Sequence, residues 1–144
     1  QLIWQTGKTD ASKWKSHAEG KEGIWVGDFI TNMQQAYAAA DIVISRAGAM
    51  AIAELCLVKK PVLFVPYPFA AEDHQTVNAQ HLVSKGAALM VKDSEAKEEV
   101  LPAIIALAGD EKKQADLKNN IAGLGVSDAD ERVAGEILKT IGRN

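Results

Sequence analysis

The stretch SRAGAMAIAELCLVKKPVLFVPYPFAAEDHQTVNA, residues 45–79, decides the fold class of this chain. Its centre, PVLFVP at 61–66, is a short apolar run without polar alternation, which is typical of a strand covered on both faces. The segments on either side, 48–58 and 74–85, have the length and composition of helices. Helix, buried strand and helix in succession favour a parallel sheet with crossover helices.

The same rhythm continues on both sides of that stretch. Further short apolar runs predict strands at 2–6, 23–28, 41–45 and 87–91. Helical patterns lie between them, near 10–19 and 32–39. We therefore predict an α/β fold with a Rossmann-like, doubly wound parallel sheet.

After Val91 the pattern changes to helices alone. One helix includes LPAIIALAG, a second covers roughly 111–120, and a third begins at SDAD, where Ser127 is expected to cap with Asp130 three residues on. An apolar stripe at helical spacing in this last helix is expected to pack against another element. The stripe consists of Val133, Ile137, Leu138 and Ile141.

Composition limits the class of protein. With 144 residues, 47% hydrophobic and 24% charged, the chain fits one globular domain over 1–144. The 16 basic residues are scattered among 19 acidic ones, so DNA and RNA binding are not expected. A lone cysteine, Cys56, lies in an apolar helical run and fits a packing role in a reducing compartment. Because no apolar run reaches the length of a membrane span, we expect a cytoplasmic protein.

The loop at 45–50 has the character of an anion site. Ligands of open parallel sheets bind beyond the carboxyl ends of the strands, and phosphates favour the free amides at helix N-termini. Gly48 permits close backbone approach, and the amides of Gly48, Ala49 and Met50 open the following helix. Neither the dinucleotide G-x-G-x-x-G motif nor the P-loop motif is present, so the glycine alone is weak support.

Glu54 is a carboxylate within the apolar stretch AMAIAELCLV, where burial would be costly without a partner. Two ribose hydroxyls would supply two donors at once. A salt bridge to Lys59, Lys60 or Arg46 explains the same residue, and the sequence leaves both possibilities open.

Two earlier loops also follow predicted strands. Residues 6–8, TGK, fit a plain turn with a solvated lysine. Phe29 and Ile30 are apolar residues in the loop after the second strand, where packing under the next helix would explain them. The alternative is a pocket for a planar base, with the Phe29 ring on one face and the Ile30 amide at the edge.

A polar cluster follows the fourth predicted strand. Asp73 fits a helix cap, whereas His74 and Gln75 offer the mixed donors and acceptors that bind sugar hydroxyls. A catalytic role for His74 is possible, but no serine or cysteine nucleophile with a plausible third partner accompanies it. Since His17, His74 and His81 are widely spaced, we expect no metal site.

Four segments together carry a resemblance to a known family: IWQTGK, VGDFITNMQQAYAAADIVISRAGAMAIAEL, KKPVLFVPYPFAAEDHQTVNAQHLVSKGAA and DADERVAGEILK. In this order they resemble the C-terminal half of the MurG family, bacterial glycosyltransferases that add N-acetylglucosamine to lipid-linked N-acetylmuramoyl-pentapeptide. Residues 45–79 are the most specific part. The resemblance implies the half of a GT-B enzyme that binds UDP-N-acetylglucosamine, without a further cofactor.

The resemblance also implies a role for individual residues along the donor. Uracil would be bound by Phe29, the backbone of Ile30, and Met33, and the diphosphate would face Arg46, Gly48, Ala49 and Met50. Glu54 would bind the ribose. His74 and Gln75 would bind the sugar, and Asn78 would support that loop.

The rest of the family's machinery is expected upstream of Gln1. It comprises the first strand and glycine-rich loop of this domain, and an N-terminal domain that binds the lipid I acceptor, carries the base and meets the inner membrane. We therefore predict no catalytic residue in this chain and no turnover by it alone. A UDP-N-acetylglucosamine 2-epimerase or another GT-B enzyme shares the architecture, and a non-catalytic nucleotide-sugar-binding module is the alternative outside enzymes.

Overall fold

A computed structural model describes residues 1–142 of the chain. It shows an α/β fold whose strands all pair in parallel, which confirms the predicted fold class. The chain forms two compact units, with the first spanning Gln1–Asp41 and the second beginning at Ile42. The expectation that 1–144 forms a single domain stays a prediction.

The first unit contains a two-stranded parallel sheet and two helices. Its elements in chain order are β1 (Leu2–Gln5), α1 (Ala11–Ala18), β2 (Ile24–Gly27) and α2 (Met33–Ala39). The Trp4 ring of β1 lies 4.8 Å from the Trp14 ring of α1, centroid to centroid, which ties the helix to the strand. The Trp25 ring covers Gly27 so closely that a Cβ there would lie 2.2 Å from it, so a larger residue would require the exposed Trp25 ring to move.

The second unit contains a three-stranded parallel sheet with β4 at its centre. Its strands and the helices between them are β3 (Val43–Ser45), α3 (Ala49–Val58), β4 (Val62–Phe64), α4 (His74–Ser84) and β5 (Leu89–Met90). In register, Ile44 pairs with Leu63, which pairs in turn with Leu89. Because β4 has a neighbour on each side, its apolar run is buried throughout, as the lack of polar alternation predicts.

The core of the second unit lies around β4 and the inner faces of its helices. Fully buried side chains include Phe64 and Leu63 of the strand and Leu55 of α3. Cys56 is buried beside Leu55, and burial raises the pKa of its thiol, as suits a packing residue without thiolate reactivity.

Three helices complete the described chain, as predicted: α5 (Ala96–Ala108), α6 (Glu111–Ala122) and α7 (Ala129–Ile141). Leu107, Leu117 and Ile121 anchor the first two in the core. No helix among residues 1–142 is long and apolar enough to cross a membrane.

One expectation for α7 is wrong, and a second, the packing of its apolar stripe, stays a prediction. Asp128 rather than Ser127 occupies the N-cap position, and its carboxylate pairs with Arg132 at 2.9 Å instead of capping an amide. The side chains of the apolar stripe are exposed: Val133, Ile137, Leu138 and Ile141. Helical spacing predicts which side chains share a face, but it does not supply the surface that covers them.

Candidate functional site

The peptide groups of Ala47, just beyond β3, are fixed from both sides. The Ala47 amide donates to Gln75 Oε1 at 3.2 Å, and its carbonyl accepts from Asn78 Nδ2 at 3.3 Å. Ala47 itself is 0% exposed. Two side chains of α4 therefore hold the loop that leads into α3, whereas Asn78 was expected to support the sugar-binding loop after β4.

Gly48 is the N-cap residue of α3, with ordinary extended angles of φ −68° and ψ 148°. The amides of the first helical turn, including those of Ala49 and Met50, have no carbonyl one turn earlier to bond. A Cβ built on Gly48 meets no atom within 4 Å. Neither backbone strain nor packing requires a glycine here; glycine is a favoured N-cap residue, and its missing side chain leaves room for a bound group to approach the helix N-terminus.

Gln75 links the two loops that follow β3 and β4. Its Oε1 accepts from the Tyr67 amide at 3.0 Å as well as from Ala47. Because both partners are donors, the oxygen must face them, and the side-chain NH₂ is the group that remains to serve a ligand. This linking role was not predicted from sequence, where Gln75 was assigned to the sugar alone.

Arg46 points across the carboxyl ends of the strands. Its Nη1 donates to the carbonyls of Val65 and Pro66, at 3.1 and 3.2 Å, and pairs with the carboxylate of Asp93. The guanidinium also lies 5.7 Å from the centre of the Tyr67 ring, within the range of a cation–π contact. Arg46 therefore bonds the chain itself at the point where it was expected to face a diphosphate.

Glu54 is exposed on α3, so the expectation that it is buried is wrong. Its neighbours Leu55 and Cys56 face the core, whereas Ala53 and Glu54 lie on the outer side of the helix. His74, the first residue of α4, is exposed as well. Both residues interact with other groups of the chain.

The segment between β4 and α4 is open and strained. Phe69 is 82% exposed, and its ring stacks edge-on with that of Tyr67. Glu72 and Asp73 both have left-handed angles, with φ of 51° and 52°. Such angles are unfavourable for residues with a Cβ, and they cluster at ligand-binding sites. Asp73 precedes α4 as expected, but its carboxylate accepts from the Thr76 hydroxyl at 2.6 Å and caps no amide.

In the first unit, the predicted base-binding residues follow β2. The Phe29 side chain is 65% exposed, and Met33 begins α2 half-buried. The Ile30 amide, expected to read a base, donates to Gln5 Oε1 at 2.8 Å. A base that uses this amide must therefore displace the Gln5 carboxamide.

Sequence reasoning missed the roles of Asp93 and Gln5. Asp93 lies 47 positions beyond its partner Arg46, and no local pattern marks such a pair. Gln5, however, is the last residue of β1 and lies near the end of the strand predicted at 2–6, where polar side chains of a parallel sheet meet ligands, and that position was a usable signal. Among the described residues, no group of three or more His, Cys, Asp or Glu side chains is placed to hold a metal ion.

Comparison with known proteins gives a family for this geometry. Residues 1–133 match the model of the glycosyltransferase family 28 C-terminal domain. The chain belongs to this family. The expected membership of a glycosyltransferase family is thus confirmed, over nearly all of the described chain.

Curated relatives of this family 28 domain are similar over almost its whole length. The UDP-N-acetylglucosamine–N-acetylmuramyl-(pentapeptide) pyrophosphoryl-undecaprenol N-acetylglucosamine transferase of Parabacteroides distasonis is 47% identical over 98% of the chain. The protein of the same name from Flavobacterium psychrophilum is 44% identical over 98%. The chain spans only 39% and 38% of their respective lengths.

Two solved structures resemble the domain. MurG of Acinetobacter baumannii superposes with a TM-score of 0.83 at 28% identity, over 95% of this chain and 40% of that protein. A glycotransferase of kitacinnamycin gives a TM-score of 0.61 at 21% identity, over 86% of this chain and 30% of the other, and shows likeness of fold alone. The likeness to MurG confirms the expected half of a GT-B glycosyltransferase.

Proposed function

We propose that this chain is the donor-binding half of an inverting glycosyltransferase, and that it holds UDP-N-acetylglucosamine. The observation that carries the proposal is the loop of Ala47 and Gly48. There a peptide fixed by Gln75 and Asn78 leads into a helix N-terminus at a glycine whose missing side chain leaves open space. The names of the relatives from Parabacteroides and Flavobacterium supply the donor and the reaction.

Each part of the donor is assigned to residues of one chemistry. The first-turn amides of Gly48, Ala49 and Met50 face the diphosphate, because unbonded N–H groups and the helix dipole favour anions. Glu54, on the exposed side of α3, accepts from the ribose hydroxyls. His74 and the NH₂ group of Gln75 bind the sugar.

The uracil is assigned to the first unit. Phe29 presents an exposed ring for stacking, and Met33 adds a polarizable side chain at the start of α2. The backbone of Ile30 reads the edge of the base after the Gln5 carboxamide gives up its bond to the Ile30 amide. Uracil offers carbonyl oxygens that can take the place of Gln5 Oε1 on that amide.

Catalysis by the donor half consists of positioning and of stabilising the leaving group. In the proposed reaction the C4 hydroxyl of the acceptor attacks the anomeric carbon, the bond to UDP breaks, and a β-1,4 linkage forms. Negative charge grows on the departing diphosphate, so amides already fixed at a helix N-terminus stabilise the transition state more than the ground state. The Ala47 anchor keeps those amides in place before the donor arrives.

The whole protein's role is proposed from its relatives. The acceptor would be the lipid-linked N-acetylmuramoyl-pentapeptide, bound by an N-terminal domain that also supplies the base. The product serves peptidoglycan synthesis, and with it cell shape and division. An enzyme with this acceptor works at the cytoplasmic face of the bacterial inner membrane, as a peripheral protein.

Calorimetric titration of the native gene product with UDP, UDP-N-acetylglucosamine, UDP-glucose and ADP tests the assignment. Uridine nucleotides should bind and ADP should bind far more weakly, because the Ile30 amide is assigned to a uracil carbonyl, a group that adenine lacks. In the same titration Glu54→Ala should weaken UDP binding about tenfold, since a hydrogen bond to a charged group contributes roughly 1.5 kcal/mol or more. Equal affinity for UDP and ADP, or an unchanged Glu54→Ala variant, would contradict the proposal.

A further inference from the structure

Arg46 and Asp93 join the carboxyl ends of the sheet in the second unit. Arg46 follows β3, Val65 and Pro66 follow β4, and Asp93 lies in the 3₁₀ turn after β5. A single nitrogen, Arg46 Nη1, contacts the two carbonyls and the carboxylate. Since parallel strands end at one edge, this contact links the loops after all the strands of that sheet.

The position of the link matters more than its strength. The side chains of Arg46 and Asp93 are 51% and 34% exposed, and exposed ion pairs contribute little to global stability. The carbonyls that Arg46 holds, however, immediately precede Tyr67. The Tyr67 amide in turn donates to Gln75 Oε1, the same oxygen that receives the Ala47 amide. Moving Pro66 therefore disturbs the anchor of the α3 N-terminus through Gln75.

Charge points the same way. The Asp93 carboxylate neutralises the guanidinium, so the pair offers a diphosphate little net attraction. Arg46 Nη1 donates to three acceptors that all belong to the chain itself. An arginine used directly on a diphosphate would instead present its fork of donors to the ligand.

We propose that Asp93 is a positioning residue, and that Arg46 acts on the donor by holding the loops after β3 and β4 rather than by touching the diphosphate. The effect on the donor rests on the proposed function, whereas the clamp itself does not. Asp93 orients the guanidinium, and Arg46 fixes the Val65 and Pro66 carbonyls. Gln75 transmits this restraint to Ala47, because its Oε1 accepts from the amides of both Tyr67 and Ala47.

Asp93→Ala tests the clamp, with Glu95→Ala as the matched control. Glu95 lies in the same 3₁₀ turn, carries the same charge and is exposed. In the native gene product, Asp93→Ala should raise the Kd for UDP about three- to tenfold, the equivalent of one lost hydrogen bond. Amide hydrogen exchange at Tyr67 should speed up by a similar factor or more, while Leu117 and Ile121 in the core stay protected. Glu95→Ala should change neither quantity.

Asp93→Asn separates shape from charge. Its Oδ1 can still accept from Nη1, so it should restore Tyr67 protection in part. If Arg46 is instead a diphosphate ligand restrained by Asp93, Asp93→Ala will bind UDP more tightly, which would overturn the proposal. Faster exchange at Tyr67 with an unchanged Kd, exchange unchanged at Tyr67, or loss of protection throughout the core would overturn it as well. If the parent protein binds no UDP, the proposed function fails, while Tyr67 exchange still decides the clamp.

Discussion

The loops after β3 and β4 meet at one side chain and differ in almost every physical respect. Ala47 in the first is fully buried, with both of its peptide groups bonded to α4. The second carries an exposed Phe69 and two successive left-handed residues, Glu72 and Asp73. Gln75 bonds both loops through a single oxygen.

The difference shows which of the two loops is held in a fixed conformation by the chain itself. Amides that stabilise a growing charge must be in place beforehand, because reorganising them during the reaction would cost part of the gain. A loop that contacts a sugar can keep strain and exposure, since those are the features of a segment that adjusts on binding. The variants below alter one loop at a time.

Gln75→Ala should have the largest effect, because it removes the acceptor shared by the two loops. The amides of Ala47 and Tyr67 lose their partner, and we expect a loss of about 1–3 kcal/mol in the free energy of unfolding. Chemical denaturation of the variant measures this. Gln80→Ala, the same change at an exposed site of α4, is the control and should stay within about 0.5 kcal/mol of the parent. Equal changes in the free energy of unfolding for the two variants would contradict the linking role of Gln75.

Gly48→Ala tests whether a ligand approaches the ordered loop after β3. The new methyl enters open space, so stability should fall only by about 0.5–1 kcal/mol, the cost of alanine at an N-cap. UDP affinity, measured by calorimetry, should fall at least about tenfold, because the methyl occupies the approach to the first-turn amides.

The matched control is Gly135→Ala in α7, where a Cβ likewise meets nothing within 4 Å. There alanine should stabilise the helix by about 0.5–1 kcal/mol and leave UDP binding unchanged. Unaltered UDP affinity in Gly48→Ala would show that no ligand approaches the α3 N-terminus closely.

Glu72→Gly should have the smallest effect, and of opposite sign. Glycine accepts a φ of 51° without steric cost, so the free energy of unfolding should rise by about 0.5–1 kcal/mol. Thermal unfolding of Glu72→Gly beside Glu72→Ala isolates the cause, because alanine keeps the Cβ and should give no gain. A gain in both would trace the effect to the lost carboxylate rather than to backbone strain.

Much of the fold could be predicted from sequence because apolar runs and helical patterns are local signals. The helix expected at 32–39 is found at Met33–Ala39, and the strand expected at 61–66 at Val62–Phe64. Strand ends shift by a residue or two, since the apolar run continues past the last paired residue.

The site was predictable only in outline. Gly48 follows a strand, at the sheet edge where ligands of parallel sheets bind, so the loop could be selected as a candidate site. The bonds that order it could not, because the partners of Ala47 lie 28 and 31 positions away. The burial of Glu54 was mispredicted for another reason: the composition around it is apolar, but the side of α3 on which a residue lies decides its burial.

The tryptophans that tie α1 to β1 and cover Gly27 have a spectroscopic consequence. All three indoles of the chain, Trp4, Trp14 and Trp25, belong to the first unit. Intrinsic fluorescence therefore reports on the first unit, whereas the far-ultraviolet circular dichroism signal comes mainly from the helices of the second unit. Melting curves from the two signals follow different parts of the molecule, and their coincidence or separation reports whether both parts unfold in one cooperative step.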